Sequence, residues 1–149
     1  MKTKKDIVEN WLPRYTGRAL QDFTKYIILT NFEYYLDLFS EMYNEPIIGV
    51  DKTMPSVSHD GITIINFGMG SPNAATILDL LTAIEVEAIL FLGKCGGIKD
   101  KNSVGDYILP IAAIKGEGTS NDYFPHEVPA LPAFSLQKAC SKAITNHGR

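Results

Sequence analysis

The sequence predicts an α/β domain in which a mixed, largely parallel sheet is flanked by helices. Three observations lead there. Residues 62–67 read as a strand, and residues 88–92 are a continuous apolar run of strand length. Between them Ala74, Ile77, Leu78, Leu81 and Ile84 recur at helical spacing. The second run is apolar throughout rather than alternating, the pattern of a strand buried on both faces of a parallel sheet. Strand, helix and strand with short joints form a βαβ unit with a right-handed crossover. The 149 residues suit one domain over 1–149, able to bury roughly 68–70% of the unfolded surface.

The other elements follow in chain order. Thr3-x-x-Asp6 ahead of Ile7, Val8 and Trp11 predicts a short helix opened by a capping box. Residues 12–18, with Pro13 and Gly17, predict the loop that ends it. Residues 26–29 read as a strand. Phe32, Tyr35, Leu36, Phe39 and Tyr43 then trace one face of a helix. Residues 46–50 are a short strand candidate, and the turn-like His59-Asp60-Gly61 opens the strand at 62–67. Ser71 is the expected cap of the next helix, with Pro72 at its first position, where a missing N–H costs nothing. Residues 106–114 read as a further strand, in which Pro110 implies an edge or a bulge. Residues 116–132 form a long loop of the kind that often carries function. Leu136, Ala139, Cys140, Ala143 and Ile144 predict a last helix, stopping near Gly148, with Cys140 in the core.

Composition narrows the class. An apolar share of 45%, with seven Tyr and seven Phe, excludes intrinsic disorder. No apolar run nears the length of a membrane span, and the basic residues of MKTKKDIVENW lead into no apolar stretch of a secretory signal. Two cysteines cannot make a disulfide framework and point to a reducing, cytoplasmic setting. The formal charge is −3 and the positive residues are scattered, so neither a nucleic-acid polymer nor a membrane is an expected partner.

Two loops stand out for chemistry: Gly68-Met69-Gly70-Ser71-Pro72 and Gly93-Lys94-Cys95-Gly96-Gly97. Each follows a strand, so both belong at the carboxyl edge of the sheet, where open α/β folds bind ligands. The first opens a helix N-terminus, which favours anionic groups. The spacing suits neither a dinucleotide fingerprint, since Asn73 follows Gly68-x-Gly70, nor a Walker loop, since Cys95 follows Lys94 and position 88 is Ala. Cys95 is open to a catalytic reading and to the favoured one of a small residue packed in a tight turn. Lys94 is an anion ligand or a solvated lysine. Arg14 and Arg18 bind phosphate or make surface pairs. Glu117, Asp122 and Glu127 are usable acids in the long loop, with simple surface positions as the favoured reading. His59, His126 and His147 lack metal-ligand spacing, so no metal is expected.

Taken together, Trp11-Leu12-Pro13-Arg14-Tyr15-Thr16-Gly17, Asn66-Phe67-Gly68-Met69-Gly70-Ser71-Pro72, Leu92-Gly93-Lys94-Cys95-Gly96-Gly97 and Gly105-Asp106-Tyr107 resemble the AMP nucleosidases, within the wider nucleoside phosphorylase superfamily. Residues 116–122 and 128–132 continue the likeness. The resemblance implies a nucleoside-phosphorylase-like fold and cofactor-free hydrolysis of the N-glycosidic bond of AMP to adenine and ribose 5-phosphate, a purine-salvage reaction. The catalytic residue is not identified among these positions. By carry-over, Gly68, Met69 and Gly70 line the ribose side, Gly93 and Lys94 lie near phosphate or ribose, and Cys95, Gly96 and Gly97 border the base. Asn31 falls where the superfamily places its first anion-binding loop, and Arg14 is a ligand for the 5′-phosphate, in its own site or a neighbouring subunit's. The family's habit of sharing sites across subunits implies a homo-oligomer. Lys94 stands where phosphate-using relatives carry Ser or Thr, which favours a hydrolase. The resemblance also implies a further half, bearing a Met-Glu ribose clamp and the purine-protonating Asp, so the chain is expected to be the N-terminal portion of the fold, incomplete at its C-terminus. The alternatives are a purine or uridine nucleoside phosphorylase, or an inactive nucleotide-binding or assembly module.

Overall fold

The computed structural model describes residues 2–147, which divide into two compact units, one reaching to Gly93 and the other starting at Lys94. The first unit runs α1 (Lys4–Thr16), a 3₁₀ turn (Leu20–Asp22), β1 (Tyr26–Thr30), α2 (Glu33–Tyr43), β2 (Ser56–His59), β3 (Ile62–Asn66), α3 (Ser71–Leu81) and β4 (Ala88–Leu92). Its sheet has the order β2-β3-β1-β4. β1 lies parallel to both β3 and β4, and β2 is antiparallel to β3. The mixed, largely parallel sheet is therefore present, but the βαβ unit β3–α3–β4 spans β1 rather than joining neighbours.

Side-chain alternation along the strands separates two cores. Ile27, Leu29, Ile65 and Phe67 face α1 and α3, packing with Val8, Leu12, Ile77, Leu80 and Leu81. Ile64 and Val57 face α2 and meet Leu36. Each such aliphatic side chain contributes about 1.5–3 kcal/mol on full burial.

Five local expectations are corrected. First, α1 does not stop at residue 12 but continues through Pro13 to Thr16. Proline forfeits one helical N–H bond, yet Leu12 and Thr16 are fully buried one turn apart, and Thr16 Oγ1 donates to Leu12 O at 2.8 Å. Tertiary burial outweighs the local break. The capping box at Thr3 and Asp6 forms as expected. Second, residues 46–50 make no strand. Only Ile48 pairs, in one bridge with Ser56, because Gly49 at φ 76° turns the chain away. The true partner of β3 is Ser-Val-Ser-His, whose single apolar residue hid it. Asp60 and Gly61, both at positive φ, make the two-residue turn of that hairpin.

Third, Gly70 at φ 94° rather than Ser71 is the N-cap of α3, and Pro72 sits one place further in. Fourth, β4 is the sheet's edge among the described residues, with Phe91 59% exposed. Its unbroken apolarity does not reflect two covered faces.

The second unit holds a 3₁₀ turn (Thr119–Asp122) and α4 (Phe134–Asn146). The fifth correction lies here. Residues 106–114 are not a strand: only Ala113 pairs, with Ala130, while Pro110 lacks a donor and Ile108, Ile111 and Ile114 are exposed. Cys140 is half-buried rather than core, and no residue of α4 is fully buried. The expected helix stop near Gly148 lies outside the described residues. No described helix is long and apolar enough to cross a membrane.

Candidate functional site

Parallel pairing sets the geometry of the site. Thr30, the last residue of β1, registers with Asn66 of β3 and Leu92 of β4. The three strands therefore end together. Asn31, the loop through Gly68, Met69 and Gly70, and Gly93 all follow at one carboxyl edge, with Asn31 after the middle one of these three strands. Asn66 Oδ1 accepts from Gly68 N at 3.0 Å, turning the chain so that Gly68 takes φ 80° and Gly70 φ 94°. These values suit glycine alone without strain. At Gly93 an added Cβ would fall 2.7 Å from Phe91 Cε1, so the missing side chain leaves room for that ring.

A cleft of about 490 Å³ opens beside this edge, lined by Leu29, Asn31, Phe67, Gly70, Ser71, Ala74, Leu78, Ile89 and Phe91. Its volume lies in the range of small-molecule sites, about 300–1,000 Å³. The floor is apolar, with the Phe67 and Phe91 rings 6.0 Å apart. The polar groups gather at the rim. Asn31 shares the face of Leu29, two residues before it, and so points toward α3. Its Nδ2 donates to Met69 Sδ at 3.5 Å, while its Oδ1 is buried with no hydrogen-bond partner among the described residues.

Arg14 reaches the same end of the unit by a longer route. Lys4, at the start of α1, pairs with Asp79 in the last turn of α3 at 3.0 Å. The start of α1 thus lies against the end of α3. Tyr15 O accepts from Met54 N at 2.9 Å, and the next residue, Pro55, receives Asn66 N. Both contacts place Arg14 toward the carboxyl edge. Its guanidinium is exposed and has no ion-pair partner among the described residues.

Arg18 fits neither sequence reading. It is only 8% exposed, donates through Nε to Ser56 Oγ at 2.9 Å and through Nη1 to Asp22 O at 3.3 Å, and lies over the Phe23 ring. Burial pulls its pKa below the usual arginine range, with Asp22 opposing. It fastens β2 to the 3₁₀ turn.

Lys94, Cys95, Gly96 and Gly97 open the second unit. Cys95 is an exposed free thiol, and Gly97 is confined by Asn102. Of the three loop acids, Glu117 is engaged: its two oxygens accept from Thr119 N at 2.9 Å and Ser120 N at 3.0 Å. It caps the 3₁₀ turn there. His59 pairs with Glu45 at 3.0 Å and stacks on Tyr43. No His, Cys, Asp or Glu cluster suited to a metal occurs among the described residues. The sequence reading did not pick out Leu78 or Phe91 as cleft residues. Both sit in runs read as core, and only the edge position of β4 leaves them open.

Residues 25–149 match the family model of the Phosphorylase superfamily. An AMP nucleosidase crystal structure from Bacteroides thetaiotaomicron is 63% identical, with a TM-score of 0.95, over 99% of this chain and 64% of that one. AMP nucleosidase of Escherichia coli K12 is 24% identical over 86% of this chain and 34% of its own length. A purine nucleoside phosphorylase structure from Toxoplasma gondii, 21% identical with a TM-score of 0.78, covers 88% of this chain and 55% of that one. It shares the fold. The chain spans about a third of the length of the curated Escherichia coli relative and just under two thirds of the Bacteroides structure.

Proposed function

The chain belongs to the phosphorylase superfamily, and from that premise we propose that it serves hydrolysis of the N-glycosidic bond of AMP, giving adenine and ribose 5-phosphate. The observation that carries this reading is the 63% identity to an AMP nucleosidase structure across 99% of the chain. The carboxyl edge supports it. A site for AMP needs an apolar surface for a purine, polar groups for a ribose and a cation for a phosphate. The cleft supplies the first through Phe67 and Phe91 and part of the second through Asn31 and Gly70, with Gly68 and Met69 in the adjoining loop, while Arg14 offers the third at the same end of the unit.

In the reaction the bond between C1′ and the purine nitrogen breaks and its electron pair leaves with adenine. The ribose becomes oxocarbenium-like, water adds at C1′ and loses a proton, and an acid protonates the departing base. General acid catalysis of that kind is worth roughly 10²–10⁴ in rate. Fixed dipoles at the site stabilise the developing charge. Backbone groups of the glycine segments are placed to contribute them, and no cofactor is required.

We further place the protein in the cytoplasm, in purine salvage and in a homo-oligomer. Two free cysteines accord with a reducing compartment. The exposed Tyr34, Leu38 and Met42, four residues apart on α2, form an apolar stripe suited to a subunit contact.

The test is chromatographic detection of adenine and ribose 5-phosphate from AMP in phosphate-free buffer. Adenine released only on adding phosphate, with ribose 1-phosphate from adenosine, would replace the hydrolase reading by a phosphorylase. AMP binding without turnover would assign a nucleotide-binding module.

A further inference from the structure

Asn31 holds the central place at the carboxyl edge, directly after β1 and between the ends of β3 and β4. Its amide is only half used. Nδ2 faces Met69 Sδ at 3.5 Å. A thioether accepts and cannot donate, so this neighbour fixes which end of the amide lies against it. The carbonyl end is left over, buried and without a donor. A buried acceptor of that kind forfeits its solvation, and native proteins seldom leave one without a reason.

The chemistry of the corner decides what would satisfy it. A carbonyl oxygen needs a donor and repels an oxyanion. The residues lining the cleft include no cation. The adjoining N-terminus of α2 has no side-chain cap and carries Glu33 in its first turn, which opposes an anion. Met69 is 70% exposed, and its flexible thioether is free to swing aside.

We propose that Asn31 Oδ1 accepts a hydrogen bond from a ribose hydroxyl of the substrate, and that Met69 is the movable cover that yields as the sugar enters. The assignment rests on the AMP reading above and sharpens it. The β1–α2 corner is a hydroxyl site rather than an anion site, and the 5′-phosphate is bound elsewhere.

The experiment compares AMP, 2′-deoxy-AMP and 3′-deoxy-AMP on the wild type, Asn31→Leu and Asn31→Asp. Binding is read by calorimetry and turnover is assayed separately. Asn31→Leu is expected to weaken AMP binding about 10- to 100-fold. It should leave unchanged the binding of whichever deoxy analogue lacks the bonded hydroxyl. Asn31→Asp keeps the acceptor, so it should bind AMP better than Asn31→Leu at moderate salt. Equal losses on all three nucleotides, or Asn31→Asp weaker than Asn31→Leu, would overturn the assignment and restore an anion site. Should Asn31→Leu fail to fold, Asn31→Ala, which also lacks the acceptor, takes its place in every comparison. A wild type that neither binds nor cleaves AMP would remove the substrate reading and this assignment with it. A wild type that cleaves AMP while the variants lose affinity uniformly removes only the latter.

Discussion

Gly49 and Gly61 offer a matched pair for testing how the end of α1 is held. Both lie at positive φ, 76° and 82°, so an alanine at either meets the same left-handed penalty of about 1–2 kcal/mol. A gain of about 0.4–1 kcal/mol from a stiffer unfolded chain offsets part of it. Their surroundings differ completely. A Cβ on Gly61 would meet nothing within 4 Å, whereas one on Gly49 would sit 1.9 Å from Thr16 O and 2.7 Å from Thr16 C. Ordinary contact begins near 3.4 Å, so backbone must separate from backbone by more than an ångström. Gly61→Ala is therefore expected to lose no more than about 1.5 kcal/mol, and Gly49→Ala about 4 kcal/mol or more. The latter is a quarter or more of the stability of a typical domain, about 5–15 kcal/mol. Urea unfolding followed by fluorescence of the single tryptophan, Trp11, suits the comparison, since that ring stacks on Tyr15 at 5.9 Å beside the perturbed contact. Equal midpoint shifts for the two variants would refute the reasoning, because the close approach would then carry no energy.

Further expectations follow from other contacts. Arg18→Met removes the buried donors to Ser56 and Asp22 and leaves Ser56 Oγ unpaired, a loss of about 1–3 kcal/mol by urea titration. Arg14→Gln should raise KM for AMP by about tenfold or more while leaving the unfolding midpoint unchanged, since the guanidinium is exposed; an unchanged KM would take the phosphate from Arg14. Asp6 is held below the usual carboxylate range by the Thr3 backbone N–H first and the Thr3 hydroxyl second. Its folded pKa is depressed, so its capping contribution is present at neutral pH and lost as pH falls below about 4. Protection factors of the first-turn amides of α1, exchange rates corrected for their intrinsic pH dependence, should fall over that window and hold above it. Leu38→Glu in the outward stripe of α2 should lower the oligomeric state seen by sedimentation; no change would move the subunit contact elsewhere.

The sequence made the strand–helix–strand core readable because period and glycine position are local signals. Residues 88–92, the stripe from Ala74 to Leu81 and the capping box at Thr3 all follow from neighbours in the chain. What it hid depends on distant partners. Pro13 reads as a helix break until Leu12 and Thr16 are seen buried beneath it. Ser-Val-Ser-His reads as loop until β3 lies alongside. Arg18 reads as a surface cation until Ser56, 38 residues later, receives it. Of the candidate site, the glycine segments were legible from their pattern. Asn31 entered only through family resemblance, because an asparagine after a strand carries no local signal of its place between two loops.

The strand order has a kinetic side. β1 is made before either neighbour, and both of its pairings are parallel. No tight turn can close such a pairing, so each must wait for a helical crossover to be synthesised. The β2–β3 hairpin can form at once, but Ile27, Ile28 and Leu29 are unpaired until β3 emerges and keep one side open until β4 has left the ribosome as well. Non-local pairings of this kind form late and leave apolar chain exposed meanwhile. The residue proposed to grip the sugar is thus seated only once both parallel pairings of β1 have formed. A nascent chain halted before β4 would carry an open apolar strand and no site, which makes translation through residue 92 the step at which chaperone protection matters most.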